Sequence, residues 1–305
     1  PHPDDWQITA PLVWVCTLSA LLVLGGWFPA VRFFAVPTHY LPLHTALEFV
    51  AMAISAMVFA LGWNLRGTGK NSHAVILGVG FLAVGLIDLA HTLSFAGMPD
   101  LVTPSSPEKA INFWLAGRFV AAGVLLAVAL SPPTHWSSLR SLGALLATLT
   151  LSAGVWWVGI AHGEWLPRSF IAGEGLTTFK IGAEYMLASV YGLTAVLLYH
   201  KAATQQHDDR LWLAAAAWVQ GLAELFFTLY ADVTDIFNLL GHVYKAIAYV
   251  MIYRALFVAG VRTPYRELVH VRGYLQILLE TIPDLVWLKD PQGVYLSCNK
   301  TFERF

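Results

Sequence analysis

Charged side chains are scarce in this sequence. Asp, Glu, Lys and Arg together account for 12% of its 305 residues, about half the proportion that is usual in soluble globular domains. Hydrophobic residues account for 57%, and the mean hydropathy is +0.61. This composition excludes a single large soluble domain and predicts an all-α polytopic bundle of membrane helices.

Cysteine and net charge are low as well. The two cysteines are Cys16, inside an apolar run, and Cys298, near the C-terminus, so a disulfide framework is not expected. The formal net charge is -1. We therefore expect no binding to nucleic acid, which requires a basic surface.

Long apolar runs dominate what is present. About 20 mostly apolar residues are needed to cross a bilayer, and eight such stretches occur, separated by segments that contain proline or glycine. The predicted spans are residues 8–28, 42–64, 74–95, 111–131, 139–161, 179–199, 211–231 and 239–260. The first span has no charge inside it, so it could lie at the periphery of the helix bundle.

Lysine and arginine are unevenly distributed among the connections. Those after the even-numbered spans carry Arg66, Lys70, Arg140, Lys201, Arg210, Arg254, Arg262, Arg266 and Arg272. The other connections carry the thinner set of Arg32, Lys109 and Arg168. Because basic residues favour the cytoplasmic side of a membrane, the pattern predicts that both termini are cytoplasmic.

Ionisable residues inside the spans are the strongest functional signal, because a charge at membrane depth is costly. With the predicted orientation, they fall in the outer halves of six spans. Neighbours three or four residues apart share a helix face. A common depth on six spans predicts one shared ligand-binding cavity. Its predicted residues are His44, Glu48, Asp88, His91, Arg118, Lys180, Glu184, Glu224, His242 and Lys245.

Some of these residues have simpler interpretations. The alternative for Arg118 is that it neutralises a carboxylate and does not contact the ligand. Lys180 and Glu184, four residues apart, can form an ordinary helix pair near the lipid headgroups.

Three histidines at matched depth, His44, His91 and His242, are candidate metal ligands. Imidazoles with carboxylate neighbours suit copper, iron or zinc, and two histidines on facing helices could instead hold a haem iron. No HExxH or cysteine-rich pattern is present, so spacing alone gives little support to a metal. A small polar or anionic ligand held by Lys245, Arg118 and the histidines, or a proton, remains open.

The composition changes after residue 260. Residues 261–282 are amphipathic and charged, which predicts a helix that leaves the membrane. A β-hairpin is predicted next. Its signals are alternating apolar residues from Leu285 to Trp287, a turn at 290–293 and a second run from Val294 to Leu296.

Two family resemblances follow from these segments. LVWLKDPQGVYLSCNKTFERF, after LLETIP, resembles the start of an α/β PAS domain. HTALEF, GLIDLAHTLSFAGM, FWLAGRF, FKIGAEY and GHVYKAIAY resemble the third type of the MASE integral-membrane sensory domains of bacterial signalling proteins. The implied division is a transmembrane sensory domain at 1–260, a linker helix at 261–282 and a PAS fragment at 283–305, whose remainder we expect beyond Phe305.

The resemblance implies a sensor in the bacterial inner membrane with a downstream output domain, usually a histidine kinase or a diguanylate cyclase. The chain itself is then non-catalytic and works in the lipid bilayer as a homodimer joined through the linker helix. A transporter and an outer-face metalloenzyme are the rival interpretations. The polar residues stop halfway across the membrane, which disfavours a transporter, and the PAS fragment favours signalling over an enzyme.

Overall fold

The structure is a computed structural model of the chain. It describes residues 5–27, 31, 34, 37–171, 174–205, 208–230 and 234–304, without the side chains of residues 5–8, 37, 38, 205 and 208. Several predicted positions lie outside the described residues, among them Phe28 at the end of the first span, Arg32 in the next connection, Ala231 at the end of the seventh span and Phe305 at the end of the PAS fragment.

Long helices occupy all of the predicted spans. They are α1 (Asp5–Gly25), α2 (Pro37–Asn64), α3 (Ser72–Leu93), α4 (Pro107–Leu130), α5 (Ser138–Ala161), α6 (Thr178–Gln205), α7 (Asp208–Leu229) and α8 (Ile236–Phe257). In the described part of the chain, α2 to α8 account for seven helical segments that are long and apolar enough to cross a membrane. The apolar part of α1, Thr9–Gly25, is shorter. The predicted helical membrane bundle is confirmed, with seven such segments where eight were expected.

The starts of two helices follow from local sequence. Ser106 precedes α4, and its hydroxyl accepts a hydrogen bond from the backbone N–H of Lys109 at 3.1 Å, with Pro107 in the first turn. Ser137 precedes α5 and accepts from the N–H of Arg140 at 3.2 Å. Both serines satisfy a backbone donor that the first turn of a helix leaves free.

Most helices from α2 to α8 pack beside their neighbour in sequence, and the helices alternate in direction. Close pairs are α2 with α3, α3 with α4, α6 with α7, and α7 with α8, and α2 also packs on α8. Most side chains of α7 are buried, whereas Ser141 and Ser152 are the buried residues of α5. The alternation places the first halves of α2, α4, α6 and α8 at the same end of the bundle as the last halves of α3 and α7.

Helix α1 lies at the edge of the bundle, against α7. The indole N–H of Trp218 on α7 donates to the hydroxyl of Ser19 at 2.9 Å, and the Tyr244 hydroxyl on α8 donates to the carbonyl of Leu18 at 3.0 Å. Large apolar side chains such as Val13 and Leu21 remain exposed on α1. The peripheral position left open by the sequence is the one that α1 occupies.

Two connections cover the end of the bundle where α4 and α6 begin. The Lys109 ammonium donates to the carbonyls of Leu101 and Thr103, both at 3.0 Å, and so ties the α3–α4 connection to α4. The α5–α6 connection forms a short antiparallel ladder of β1 (Phe170–Ile171) and β2 (Gly175–Leu176). Side chains of this ladder pack on the bundle core.

The chain divides into two compact units, Pro1–Phe257 and Val258–Phe305. The second unit begins with a π-helical turn, Val258–Arg262, and continues as α9 (Thr263–Thr281). A hairpin of β3 (Trp287–Lys289) and β4 (Tyr295–Cys298) and a short α10 (Lys300–Arg304) complete it. The predicted division at residues 260 and 282 stays a prediction.

The predicted hairpin is present, with its strands one to two residues later than expected. Its turn is closed by the Asp290 carboxylate, which accepts from the N–H groups of Gln292 and Val294 at 3.0 and 2.8 Å. Gly293 has a φ of 87°, a conformation that glycine adopts without strain. Just before β3, the N–H of Val286 donates to the side chain of Asn299 at 3.2 Å, and the Val286 carbonyl accepts from the N–H of Asn299 at 3.0 Å.

Candidate functional site

All ten predicted site residues are buried at one end of the bundle, each at most 4% exposed. We call them the polar cluster. Six helices supply one or two members each, and members on one helix are three or four residues apart, so they point the same way. They are His44 and Glu48 on α2, Asp88 and His91 on α3, Arg118 on α4, Lys180 and Glu184 on α6, Glu224 on α7, and His242 and Lys245 on α8.

A chain of ion pairs links four helices through the polar cluster. The Lys245 ammonium lies 2.7 and 2.6 Å from the two carboxylate oxygens of Glu48 and 3.3 Å from Oδ2 of Asp88. The Arg118 guanidinium lies 2.8 Å from Oδ1 of Asp88. Arg118 therefore pairs with a carboxylate, as its simpler interpretation expected, and all four charges are compensated inside the bundle.

The three histidines come together beside this chain. Nε2 of His91 lies 3.3 Å from Nε2 of His44, and Nε2 of His242 lies 3.3 Å from Oε1 of Glu48. One ligand atom from each of these four residues can be chosen so that all lie within 4.8 Å of one another. The predicted metal-binding histidines thus form one group, and Glu48 joins them as a fourth potential ligand.

Lys180, Glu184 and Glu224 form the other half of the polar cluster. The Lys180 ammonium lies 3.1 Å from Oε1 of Glu184, and both side chains are buried inside the bundle, so they are not an exposed headgroup pair. The carboxyl group of Glu224 lies beside that of Glu184. Tyr230 packs over Lys180 at 4.6 Å, and burial raises the pKa of its phenol.

Buried aromatic rings pack against the polar cluster, and sequence reasoning missed most of them. Trp114 lies 4.6 Å from the Arg118 guanidinium and 4.7 Å from the Lys245 ammonium, a cation–π arrangement. Phe95 stacks on His44 with ring centroids 4.0 Å apart, and Phe227 meets His242 edge-on at 5.1 Å. Each lies three or four residues from a member of the polar cluster, which is the signal, though not a selective one, that the sequence carries.

A cavity of about 40 Å³ connects the two halves of the polar cluster. His91 and His242 line one side and Lys180 with Tyr230 the other. A water molecule needs about 10–15 Å³ of such volume. The cavity can therefore hold a few waters or an ion, and it corresponds to part of the predicted shared cavity, since Glu48 and Asp88 do not line it.

The formal charges of the polar cluster do not balance. Four carboxyl groups face three cationic groups, Arg118, Lys180 and Lys245, when the histidines are neutral. A buried excess charge is strongly unfavourable. The arrangement can accept one further positive charge, which is the chemistry of a proton or a metal cation.

No similar chain was found among curated proteins or among solved structures. A sequence model of MASE3, described as a membrane-associated sensor domain, matches residues 36–264, about three quarters of the chain. The matched region contains α2 to α8 and every residue of the polar cluster. This chain belongs to the MASE3 family of membrane-associated sensor domains.

Proposed function

We propose that this chain is the signal-receiving part of a bacterial inner-membrane signalling protein. A signal reaches the polar cluster from the outer side and changes the packing of α8. Helix α9 then carries the change to a PAS domain, which begins in residues 283–305, and to an output domain of the diguanylate cyclase or histidine kinase type.

The membership of α8 in the polar cluster is the observation that carries this proposal. His242 and Lys245 both lie on α8, and the chain passes from α8 directly into the π-helical turn and α9. A ligand shifts a conformational equilibrium only by binding its two states with different affinity. Because His242 and Lys245 belong to α8, a ligand that contacts them can bind the two packing states of α8 with different affinity. Helix α8 is also the one that continues into α9.

The sequence of α9 supports a homodimer through this helix. Apolar residues recur at the heptad spacing of a coiled coil, at Leu268, Val271, Leu275, Leu278 and Ile282. These side chains are 36–66% exposed in the single chain. A second copy would bury this stripe, and a coiled coil transmits small rotations of its helices along its length.

The uneven distribution of lysine and arginine supports the orientation, with both termini in the cytoplasm and the polar cluster in the outer half of the membrane. The opposite half of the described bundle core is apolar around Val58, Phe81, Leu125 and Ile252. An apolar half disfavours a transporter, which needs a polar path on both sides of its binding site. The hairpin of β3 and β4 in the second unit supports the PAS assignment over a metalloenzyme.

Cysteine cross-linking on α9 in native membranes tests both the dimer and the relay. In a chain with Cys16→Ser and Cys298→Ser, Leu275→Cys is expected to form a disulfide between two copies. Gly273→Cys, two positions away on another face of α9, is the matched control and is expected to cross-link weakly.

The relay is tested by adding Glu48→Gln to the Leu275→Cys chain. The amide keeps the shape of the side chain but removes the charge that holds Lys245. We expect the cross-linking yield to change, and we expect no change with Val250→Ala, a substitution at an exposed position of α8, the helix that carries Lys245. Equal yields in all three chains would contradict the relay.

A further inference from the structure

His44, Glu48, His91 and His242 converge from α2, α3 and α8, and all four side chains are buried. We propose that they bind a late first-row transition metal ion, zinc or copper, which is the signal taken by the polar cluster. The inference rests on the proposed function for its role in signalling, but metal binding itself can be tested separately. Imidazole is a preferred ligand of these ions.

Backbone carbonyls fix the tautomers of two histidines. Nδ1 of His91 lies 2.8 Å from the carbonyl oxygen of Ala110, and Nδ1 of His242 lies 2.7 Å from that of Asn238. A carbonyl oxygen only accepts hydrogen bonds, so both imidazoles carry their proton on Nδ1. Their Nε2 atoms therefore present lone pairs to the centre of the group, the second-shell arrangement found around metal-ligating histidines.

The distances match those of a tetrahedral site. Metal–nitrogen bonds of about 2.05 Å at tetrahedral angles place two ligand nitrogens about 3.3 Å apart. The Nε2 atoms of His44 and His91 are 3.3 Å apart, as are Nε2 of His242 and Oε1 of Glu48. Other ligand pairs are separated by up to 4.8 Å, so binding would draw α2, α3 and α8 slightly together.

Buried atoms without partners provide an independent reason for a ligand. Nδ1 of His44 and Nε2 of His242 have no hydrogen-bond partner, although both are buried. Leaving a buried polar atom unpaired costs about 1–3 kcal/mol. A metal bound by Nε2 of His242 would remove one of these costs.

Lys245 makes the site responsive, because its ammonium holds the carboxylate that the metal would take. Glu48 cannot bind Lys245 at 2.6 Å and a metal ion with full strength at the same time, since the two cations repel. Lys245 retains Asp88 as a second partner at 3.3 Å. Metal binding would move Glu48 from Lys245 to the metal and so change the contact between α2 and α8.

The size of the adjoining cavity favours a bare ion. Pockets for organic ligands and cofactors have volumes of about 300–1,000 Å³, whereas the cavity beside His91 and His242 measures about 40 Å³. Phe95, Trp114 and Phe227 pack directly on the imidazoles. A haem would have to displace these rings, while a single ion with one water would not.

Metal titration of the chain purified in mild detergent tests the proposal. The chain is first stripped with a chelator and then titrated with Zn²⁺, or with Cu⁺ under reducing conditions, with bound metal measured by elemental analysis. One equivalent of either ion is expected. His91→Ala and His242→Ala are expected to weaken binding at least ~100-fold, more than the loss of a second-shell partner. His73→Ala, on α3 at the opposite end, is the matched control.

Two further readouts separate a lost site from a misfolded protein. Lys245→Met removes the competing cation, and we expect it to tighten metal binding about tenfold, a gain that misfolding does not produce. Co²⁺ in the site is expected to show the intense visible bands of a tetrahedral centre. Binding below one equivalent in the wild type, or wild-type affinity in the two His→Ala variants, would overturn the metal site.

Zn²⁺ titration of the Leu275→Cys chain under non-reducing conditions, with and without His91→Ala, distinguishes failure of the metal site from failure of the sensor. A Zn²⁺-dependent change in cross-linking that His91→Ala abolishes supports both proposals. If no metal binds but Glu48→Gln still changes the yield, the metal site is wrong and the relay stands. If one equivalent binds and neither metal nor Glu48→Gln changes the yield, the site stands and the relay is wrong.

Discussion

The Lys245 ammonium lies between two carboxylates on different helices, 2.6 Å from Glu48 on α2 and 3.3 Å from Asp88 on α3. All three side chains are at most 1% exposed. Asp88 is shared with Arg118 on α4. Lys245 on α8 is thereby bonded to α2 and α3 and coupled through Asp88 to α4. A change in charge or position at any of these groups therefore alters the interactions of α8.

Removing one partner of this network is expected to destabilise the bundle strongly. Lys245→Ala leaves Glu48 buried without its cation, a loss of about 3–5 kcal/mol in the free energy of unfolding. The double variant Lys245→Leu with Glu48→Leu removes both charges and is expected to recover most of that loss. Unfolding curves in mixed detergent micelles measure both. A double variant no more stable than Lys245→Ala would contradict the argument.

A second prediction concerns the two adjacent carboxyl groups of Glu184 and Glu224. Lys180 is the cation that pairs with Glu184, and two like charges at contact distance do not both ionise in a buried site. We expect one shared proton, visible as the infrared carbonyl band of a buried protonated carboxylic acid. Glu224→Gln should remove that band and leave stability unchanged or higher.

The control for the carboxyl pair is Lys180→Met. Without the ammonium, both carboxyl groups lose their nearby cation, so we expect lower stability and a stronger band of protonated acid. An unchanged band in Glu224→Gln would place the proton on another group of the polar cluster.

Helical spacing made part of the polar cluster predictable. Residues three or four apart on a helix share a face, so His44 was expected beside Glu48 and His242 beside Lys245. Their common depth followed once successive spans were taken to alternate in direction. The choice of partners was not predictable, because it depends on how each helix is rotated about its axis. Lys245 could have faced Glu224, and packing of α2 on α8 gives it Glu48 instead.

Trp114 illustrates a different limit of the sequence. It packs against both Arg118 and Lys245, yet it is one of 12 tryptophans in the chain. Aromatic residues are common throughout apolar spans, so type and spacing do not separate a wall of the site from a residue that faces lipid. Histidine and carboxylates were informative because burial in a membrane penalises them.

Close packing of α2 on α3 leads to a third prediction. Gly62 and Gly78 face each other, and a Cβ atom on Gly62 would lie 2.9 Å from the Cα of Gly78 and would also strike the carbonyl of Ala74. Gly62→Ala must push the two helices apart. The expected cost is about 1–3 kcal/mol, measured by unfolding in mixed micelles.

Gly154 on α5 is the matched control, since no atom would lie within 4 Å of an added Cβ. Alanine is favoured over glycine inside helices by about 0.8–1 kcal/mol, so Gly154→Ala is expected to raise stability slightly. If Gly62→Ala proved as stable as Gly154→Ala, the close contact between α2 and α3 would be wrong.

The orientation of the chain is the fourth prediction, and the native cysteines allow a direct test. Cys298 on β4 is exposed, and the basic residues after α8 predict that it is cytoplasmic. In a Cys16→Ser chain, a membrane-impermeant maleimide should therefore leave Cys298 unlabelled in intact spheroplasts and label it after permeabilisation. A cysteine at Glu164, in the connection between α5 and α6, should label without permeabilisation in a chain that also carries Cys298→Ser. The reversed pattern would place the polar cluster in the inner half of the membrane, and the signal would then have to arrive from the cytoplasm.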